Sequence, residues 1–415
     1  MNKLNIRFSI IFVFSSIFCF GQNSTYSPYT YYGIGEFETS DYSRVSGMGG
    51  VGIGIRDNGF INYSNPASYS SVDSLFFVLD IAASGTLSRL ESTSTSYNML
   101  TGNLKKIAIG LRLHPAWGIS MGVVPFTNVG YKTVTTKDVE GSNIYDFTIT
   151  SEGKGGLSKV YLGNAVNLGK HFSLGVNSNL IIGYYEKDET YSIDFLGTGT
   201  LGEKRKYKPN TAYSFDFGVQ FTDSLSSSSK YTIGLIGGVN SKLHFREYKS
   251  YEYSSSTIKE EYINGYDFWI PTFIGVGFSV DSRKWTFAAD YKFQYWKDLI
   301  DKNDLPSLNN SHHIAVGAQY CPRAFLGKNL MERMTYQIGA HFDRSYLKIK
   351  GQDFDTYGMS VGVLIPIKNQ ISTIGISVDA GKKGRISDGM FKENYLRLNL
   401  SFNFADIWFQ KRRFN

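Results

Sequence analysis

Apolar and polar residues alternate one by one along most of this chain, from residue 75 to residue 404. The last such stretch is the clearest. Leu396, Leu398, Leu400, Phe402 and Phe404 share one face, and Arg397, Asn399, Ser401 and Asn403 share the other. Successive side chains of an extended strand point to opposite faces, so the pattern predicts strands with one apolar and one polar side. Fourteen segments read this way, near 75–83, 104–113, 117–131, 158–168, 171–185, 212–222, 230–240, 271–281, 284–296, 312–320, 333–343, 355–365, 371–380 and 393–404. Their connections alternate in length. Long polar loops are expected at 84–103, 132–157, 186–211 and 241–270, with tight turns at 114–116, Gly169-Lys170, 223–229 and Asp281-Ser282-Arg283 between them; the remaining connections are of middling length, and 321–332 is longer than a turn should be.

A soluble sandwich also alternates, with its apolar face turned inward. Here the polar face carries repeated glycines and full charges, and Tyr and Trp recur towards strand ends. An even number of strands, with short turns on one rim and long loops on the other, describes an outer-membrane barrel with both termini periplasmic. The predicted fold is all-β: a 14-stranded antiparallel transmembrane β-barrel with an N-terminal plug in its lumen. Composition agrees. Aromatics are 15%, charged residues only 19%, there are 43 Gly, and mean hydropathy is −0.21. Beyond residue 20 no apolar run approaches the ~18 residues a membrane helix needs, which excludes a multi-span helical protein.

Four regions follow. Residues 1–21 read as a secretory signal: Lys3 and Arg7, an apolar stretch from Phe8 to Phe20, then Cys19-Phe20-Gly21 before the cleavage point. Residues 22–74 do not alternate and form the expected plug, residues 75–404 the barrel, and residues 405–415 a periplasmic basic-aromatic tail. Removing the signal takes away two positive charges of the net +7 and leaves Cys321 as the only cysteine, so no intramolecular disulfide is expected. Lys411, Arg412 and Arg413 supply much of the remaining excess, which gives no reason to expect a nucleic-acid partner. Trp408 and Phe409 are expected at the membrane interface, beside lipid headgroups.

A barrel of fourteen strands is too wide for its inward side chains to fill. Residues 22–74 are the only non-strand segment large enough to close it. Inward glycines, Gly118, Gly175 and Gly339 among them, leave room for its backbone to reach the wall. Arg112, Asp216, Asp290, Lys292, His341, Asp379 and Arg397 fall on the polar face, where they either pair or stay solvated. Pro125 falls mid-strand, donates no ladder hydrogen bond, and should open or bend the wall. The six histidines are scattered and His312-His313 point to opposite faces, so no metal, cofactor or catalytic set is expected, and the protein is not expected to be an enzyme.

Within 22–74 lie Arg44-Val-Ser-Gly-Met48-Gly49-Gly50 through Asp57, then Asn65-Pro66-Ala67 just before the first strand. Further on come Gly122-Val-Val-Pro125-Phe126, Ile270-Pro271-Thr-Phe-Ile-Gly275-Val-Gly277, and Lys284-Trp285 through Asp290 with Trp296. In order and spacing these resemble the FadL family, outer-membrane transport proteins for long-chain fatty acids and other hydrophobic compounds. The resemblance spans most of the chain after residue 21. It implies a fourteen-stranded barrel in the cell outer membrane, a lumenal hatch, passive uptake of hydrophobic small molecules, and a lateral exit at the Pro125 break. The alternative is a non-transporting barrel serving as a subunit of an outer-membrane protein assembly or secretion machine. Tyrosine-rich loop 241–270 and the basic tail suit such envelope-protein partners.

Overall fold

A computed structural model describes residues 25–38, 43–73, 76–93, 95–138, 146–193, 200–210, 212–253, 256–263, 265–299, 308–323, 327–349, 351–367, 371–387 and 390–407. The signal segment 1–21 and the tail residues Trp408, Phe409, Lys411, Arg412 and Arg413 lie outside them.

The strands are β1 (Glu36–Phe37), β2 (Phe76–Glu91), β3 (Ser96–His114), β4 (Trp117–Asp138), β5 (Asp146–Leu168), β6 (Phe172–Ile193), β7 (Thr200–Pro209), β8 (Ala212–Ser226), β9 (Ser229–Gly238), β10 (Ser241–Tyr253), β11 (Ser256–Ile263), β12 (Asp267–Ile270), β13 (Phe273–Ser282), β14 (Trp285–Gln294), β15 (Ser311–Tyr320), β16 (Thr335–Ile349), β17 (Gln352–Pro366), β18 (Thr373–Ser387) and β19 (Met390–Ile407). Fourteen of them close the wall. β6 pairs directly with β8 and β9 with β13, so β7, β10, β11 and β12 stand outside the circuit, as does β1, which pairs with β4. The last wall strand returns to the first, from Lys392↔Glu91 to Ile407↔Phe76. No edge is left at that seam.

Alternation sorts the wall as lipid outside and plug inside require. Leu398 is 44% exposed on the outer face, and its neighbour Asn399 is 1% exposed on the inner one. Asp80, Asp290 and Asp379, which would be costly against hydrocarbon, are buried on the inner side.

Two boundaries differ from the expectation. The described residues of the expected loops 84–103, 132–157, 186–211 and 241–270 are largely strand. β2 runs on to Glu91, β5 starts at Asp146, and β7 continues the sheet beside the upper part of β6, with β10 and then β11 beside it. Beyond the lipid both faces of a strand meet water or polar neighbours, so apolar–polar alternation vanishes although the ladder does not. At the other end, residues 405–407 are still sheet. Ala405 is fully buried inward and Asp406 exposed outward. The two-residue period persists there while its polarity reverses as the strand leaves the bilayer.

Candidate functional site

Residues 25–38 and 43–73 lie inside the wall and are fastened to it at many points. At Met48 and Gly49 their backbone passes so close to Gly317 and Gly339 that a side chain at either wall position would overlap it. Gly118 faces the Tyr69 carbonyl, and Gly175 faces Pro66-Ala67, in the same way. Gly49 and Gly50 both have positive φ, 73° and 78°, a conformation that costs other residues far more than glycine. The Gly49 N–H donates to Ser360 Oγ at 2.8 Å. Asn65 caps the 3-10 turn Pro66–Ser71 by accepting from Ala67 N–H, and its Nδ2 donates to Ile53 O at 2.9 Å and Val219 O at 3.2 Å. Asp57 pairs within the plug, with Arg44 at 3.5 Å. Burial alone would raise its carboxyl, but Arg44, the Gly59 N–H and Lys230 outweigh that and hold it below its usual value.

The predicted lumenal charges divide into separate groups. His341 bonds Asp343 at 3.0 Å and Asp379 at 3.3 Å, and Asp379 reaches Arg397 at 3.5 Å, which makes one network with His313 on Asp343 at 2.6 Å. Asp290 serves the plug instead: its Oδ2 accepts from Gly52 N–H at 2.6 Å and Ile53 N–H at 2.8 Å. Asp216 pairs with Lys159 at 3.3 Å. Arg112 donates to the carbonyls of Val72 and Pro115 near the short-turn rim. Lys292 makes no ion pair or hydrogen bond among the described residues. Its Nζ lies 4.5 Å from the centroid of the Phe273 ring.

Pro125 marks a gap in the wall. β3 and β4 pair from His114↔Trp117 only as far as Ile107↔Val123. Beyond that point β3 continues against β2 alone, and β4 against β5 with a bulge between Pro125 and Thr127. The bulged Phe126 turns inward, and Lys159 Nζ lies 4.8 Å from its ring centroid. The missing neighbour of β4 is supplied by the plug. β1 pairs Glu36↔Asn128 and Phe37↔Thr127, and Glu38 N–H donates to Phe126 O at 3.0 Å. The Glu38 carboxylate then bridges the gap, taking Lys105 Nζ from β3 and, at 2.7 Å, Asn128 Nδ2 from β4. Asn103 Nδ2 also reaches Asn128 Oδ1 at 3.2 Å. We call this break the window and these contacts its latch.

Cavities adjoin the window. One of about 150 Å³ inside the lumen is lined in one part by Phe37, Phe126, Phe217, Ile236 and Phe273, with Pro125 at its edge, and elsewhere by Lys292 and by the engaged charges Glu38, Lys105, Lys159, Asp216 and Asp290. Another of about 260 Å³ runs between Asn103-Leu104 and Val123 to Asn128.

Sequence reasoning missed the latch and a second buried pair, Lys106 with Asp80 at 2.9 Å. Strict alternation would send one of the adjacent Lys105 and Lys106 into lipid. A bulge at Ala82/Ala83 on the facing strand's register, which jumps from Lys106 to Leu104, brings both inward. Two consecutive lysines inside an alternating segment were the available signal. Glu36 and Glu38 gave none, because nothing in 22–74 foretold a strand.

The fold is that of the FadL-type barrels. The FadL homologue of Pseudomonas aeruginosa superposes with a TM-score of 0.58 at 10% identity over 90% of this chain and 100% of its own. The CymD monoaromatic hydrocarbon channel gives 0.56 at 13%, covering 89% and 97%, and the toluene transporter TbuX of Ralstonia pickettii gives 0.54 at 12%, covering 90% and 99%. A comparison with curated protein sequences finds no match. The family model BamG matches residues 2–415, and the chain belongs to the BamG family.

Proposed function

We propose that this barrel lets hydrophobic small molecules pass from the long-loop side into the outer membrane through the window beside Pro125. Residues 25–73 act as the hatch that denies the lumen to water and solutes. The observation that carries this reading is the early end of the β3–β4 ladder, closed by two strand pairs of β1 and the Glu38 latch rather than by wall. Short turns at the rim that holds residues 76 and 407 support a periplasmic position for both ends. The aromatic and aliphatic part of the lumenal cavity suits a hydrophobic body, and Lys292, without an ion pair among the described residues, suits a single anionic group on it.

The test is to close the window covalently. In a Cys321→Ser background, Asn103→Cys and Asn128→Cys would be joined by a short thiol crosslinker, and uptake of a hydrophobic fluorescent probe measured in proteoliposomes. Uptake should fall on crosslinking and return on reduction. Equal uptake in both states would exclude this route.

The second reading, a non-transporting docking barrel, is favoured by the density of plug-to-wall bonds. Arg56 alone donates to Ser173 Oγ, Gln220 Oε1 and Asn167 Oδ1 of the wall, besides Ala67 O and Ser70 Oγ within the plug. Absence of uptake by the uncrosslinked protein, with stoichiometric envelope proteins in mild-detergent extracts, would select it.

A further inference from the structure

At the short-turn mouth, away from the window, lies a second kind of recess. A cavity of about 220 Å³ is lined by Arg44 of the plug, Arg283 and Lys284 of the β13–β14 turn, and Arg333 just before β16, with no carboxylate in its lining. Among the described residues Arg283, Lys284 and Arg333 enter no ion pair. The Arg333 Nε is buried and unpartnered. Arg44 is the only one of the four already engaged, with Asp57. Three cations without a counter-charge, converging beside a fourth that shares Asp57, make an unfavourable arrangement unless an anion completes it.

The wall residues of the recess identify the side from which that anion comes. Thr286, Gln319 and Thr335 line it, and they alternate with Trp285, Tyr320 and Tyr336. Trp285 and Tyr336 are exposed on the outer face, at 44% and 41%. The recess therefore faces the barrel mouth, whereas a phospholipid headgroup would remain with its chains outside the wall. The cations also come from three separate elements, so one small anion would satisfy only part of the set. A polypeptide bearing several carboxylates can meet all of them through charge-assisted bonds.

We propose that this recess binds a short acidic segment, a run of Asp and Glu side chains, of a periplasmic protein. The periplasmic assignment rests on the barrel orientation proposed above, but the binding itself does not depend on uptake. Such a segment would compete with Asp57 for Arg44, so occupancy would be felt in the plug.

The experiment uses the full processed chain in detergent, with fluorescein-labelled hexaglutamate as probe and hexaglutamine as its neutral counterpart, read by anisotropy at low salt. Hexaglutamate should bind and hexaglutamine should not. The triple change Arg283→Gln, Lys284→Gln and Arg333→Gln should weaken binding about tenfold or more, as loss of three charge-assisted contacts implies. Arg333→Lys should retain most of it. Lys204→Gln with Lys206→Gln, at the opposite rim, should leave it unchanged and so controls for net charge. Heat-modifiable migration on gels verifies that each variant is a folded barrel. Three results would overturn the proposal: undiminished binding by a folded triple variant, equal loss in the opposite-rim control, or displacement by inorganic phosphate or short-chain phosphatidylglycerol as effective per molecule as unlabelled hexaglutamate. The last would make it a simple anion or lipid site. Failure of the crosslinking test of uptake would leave these outcomes untouched.

Discussion

Lys106 on β3 and Asp80 on β2 form an ion pair of 2.9 Å in which the two side chains are 1% and 0% exposed. Lys106 also donates to the Ile61 carbonyl, so the pair ties the plug to the wall. Removing one member of a buried pair strands the other charge. Asp80→Asn should therefore destabilise the folded barrel by about 3–5 kcal/mol, measured by urea unfolding in lipid vesicles. The double change Asp80→Asn with Lys106→Met should recover much of that loss. A double variant as unstable as the single one would show that the charge itself is not the cause.

The latch gives a prediction about leak. Glu38→Gln keeps an acceptor for Asn128 but discards the charge facing Lys105. It should raise passage of a hydrophobic probe, and Lys105→Met should do the same. Glu260→Gln, on the exposed strand β11, should not. Probe flux in proteoliposomes separates the three.

Lys292 should govern which hydrophobic molecules are preferred. Lys292→Met removes the cation of the lumenal cavity that has no ion pair or hydrogen bond among the described residues, leaving the apolar residues and the paired charges of the lining in place. Uptake of a carboxylate-bearing amphiphile should drop relative to that of a neutral hydrocarbon of equal size. An unchanged ratio would remove Lys292 from selectivity.

Close approach of plug and wall is testable at a single methyl group. At Gly118 a Cβ would run into the Tyr69 carbonyl, whereas at Gly102 it would meet nothing within 4 Å. Gly118→Ala should cost about 1–3 kcal/mol, typical of overpacking, and loosen the plug. Gly102→Ala should be neutral or slightly favourable. Protease sensitivity of residues 43–73 and single-channel conductance should both rise in the first variant alone.

Legibility in the sequence followed the solvent. Where one face met lipid and the other the plug, as from Leu396 to Phe404, alternation located the strand and its inside. Where both faces were polar, as in Lys204 to Lys208 on β7, no pattern survived and the strand read as loop. The charges on the inner face could be identified as inward, but not which partner each would meet, since Asp379 with Arg397 is a cross-strand pair and Asp290 with Gly52 crosses 238 positions. Pro125 was legible because proline is costly in a ladder. The latch was not, because its two-residue strand has no room for a period.

The brevity of β1 sets a separation of timescales. Releasing the window requires the loss of two strand pairs and the Glu38 contacts. The hydrogen-bonded circuit below Val123 need not break at all. Fraying of so short a segment belongs to the low-energy local openings of a protein, on a scale of roughly microseconds to milliseconds, whereas opening a closed barrel is a global event. The frequency of such fraying can thus be tuned by substitutions at residues 36–38 alone, while the lifetime of the barrel in the membrane stays where the fourteen-strand wall has put it.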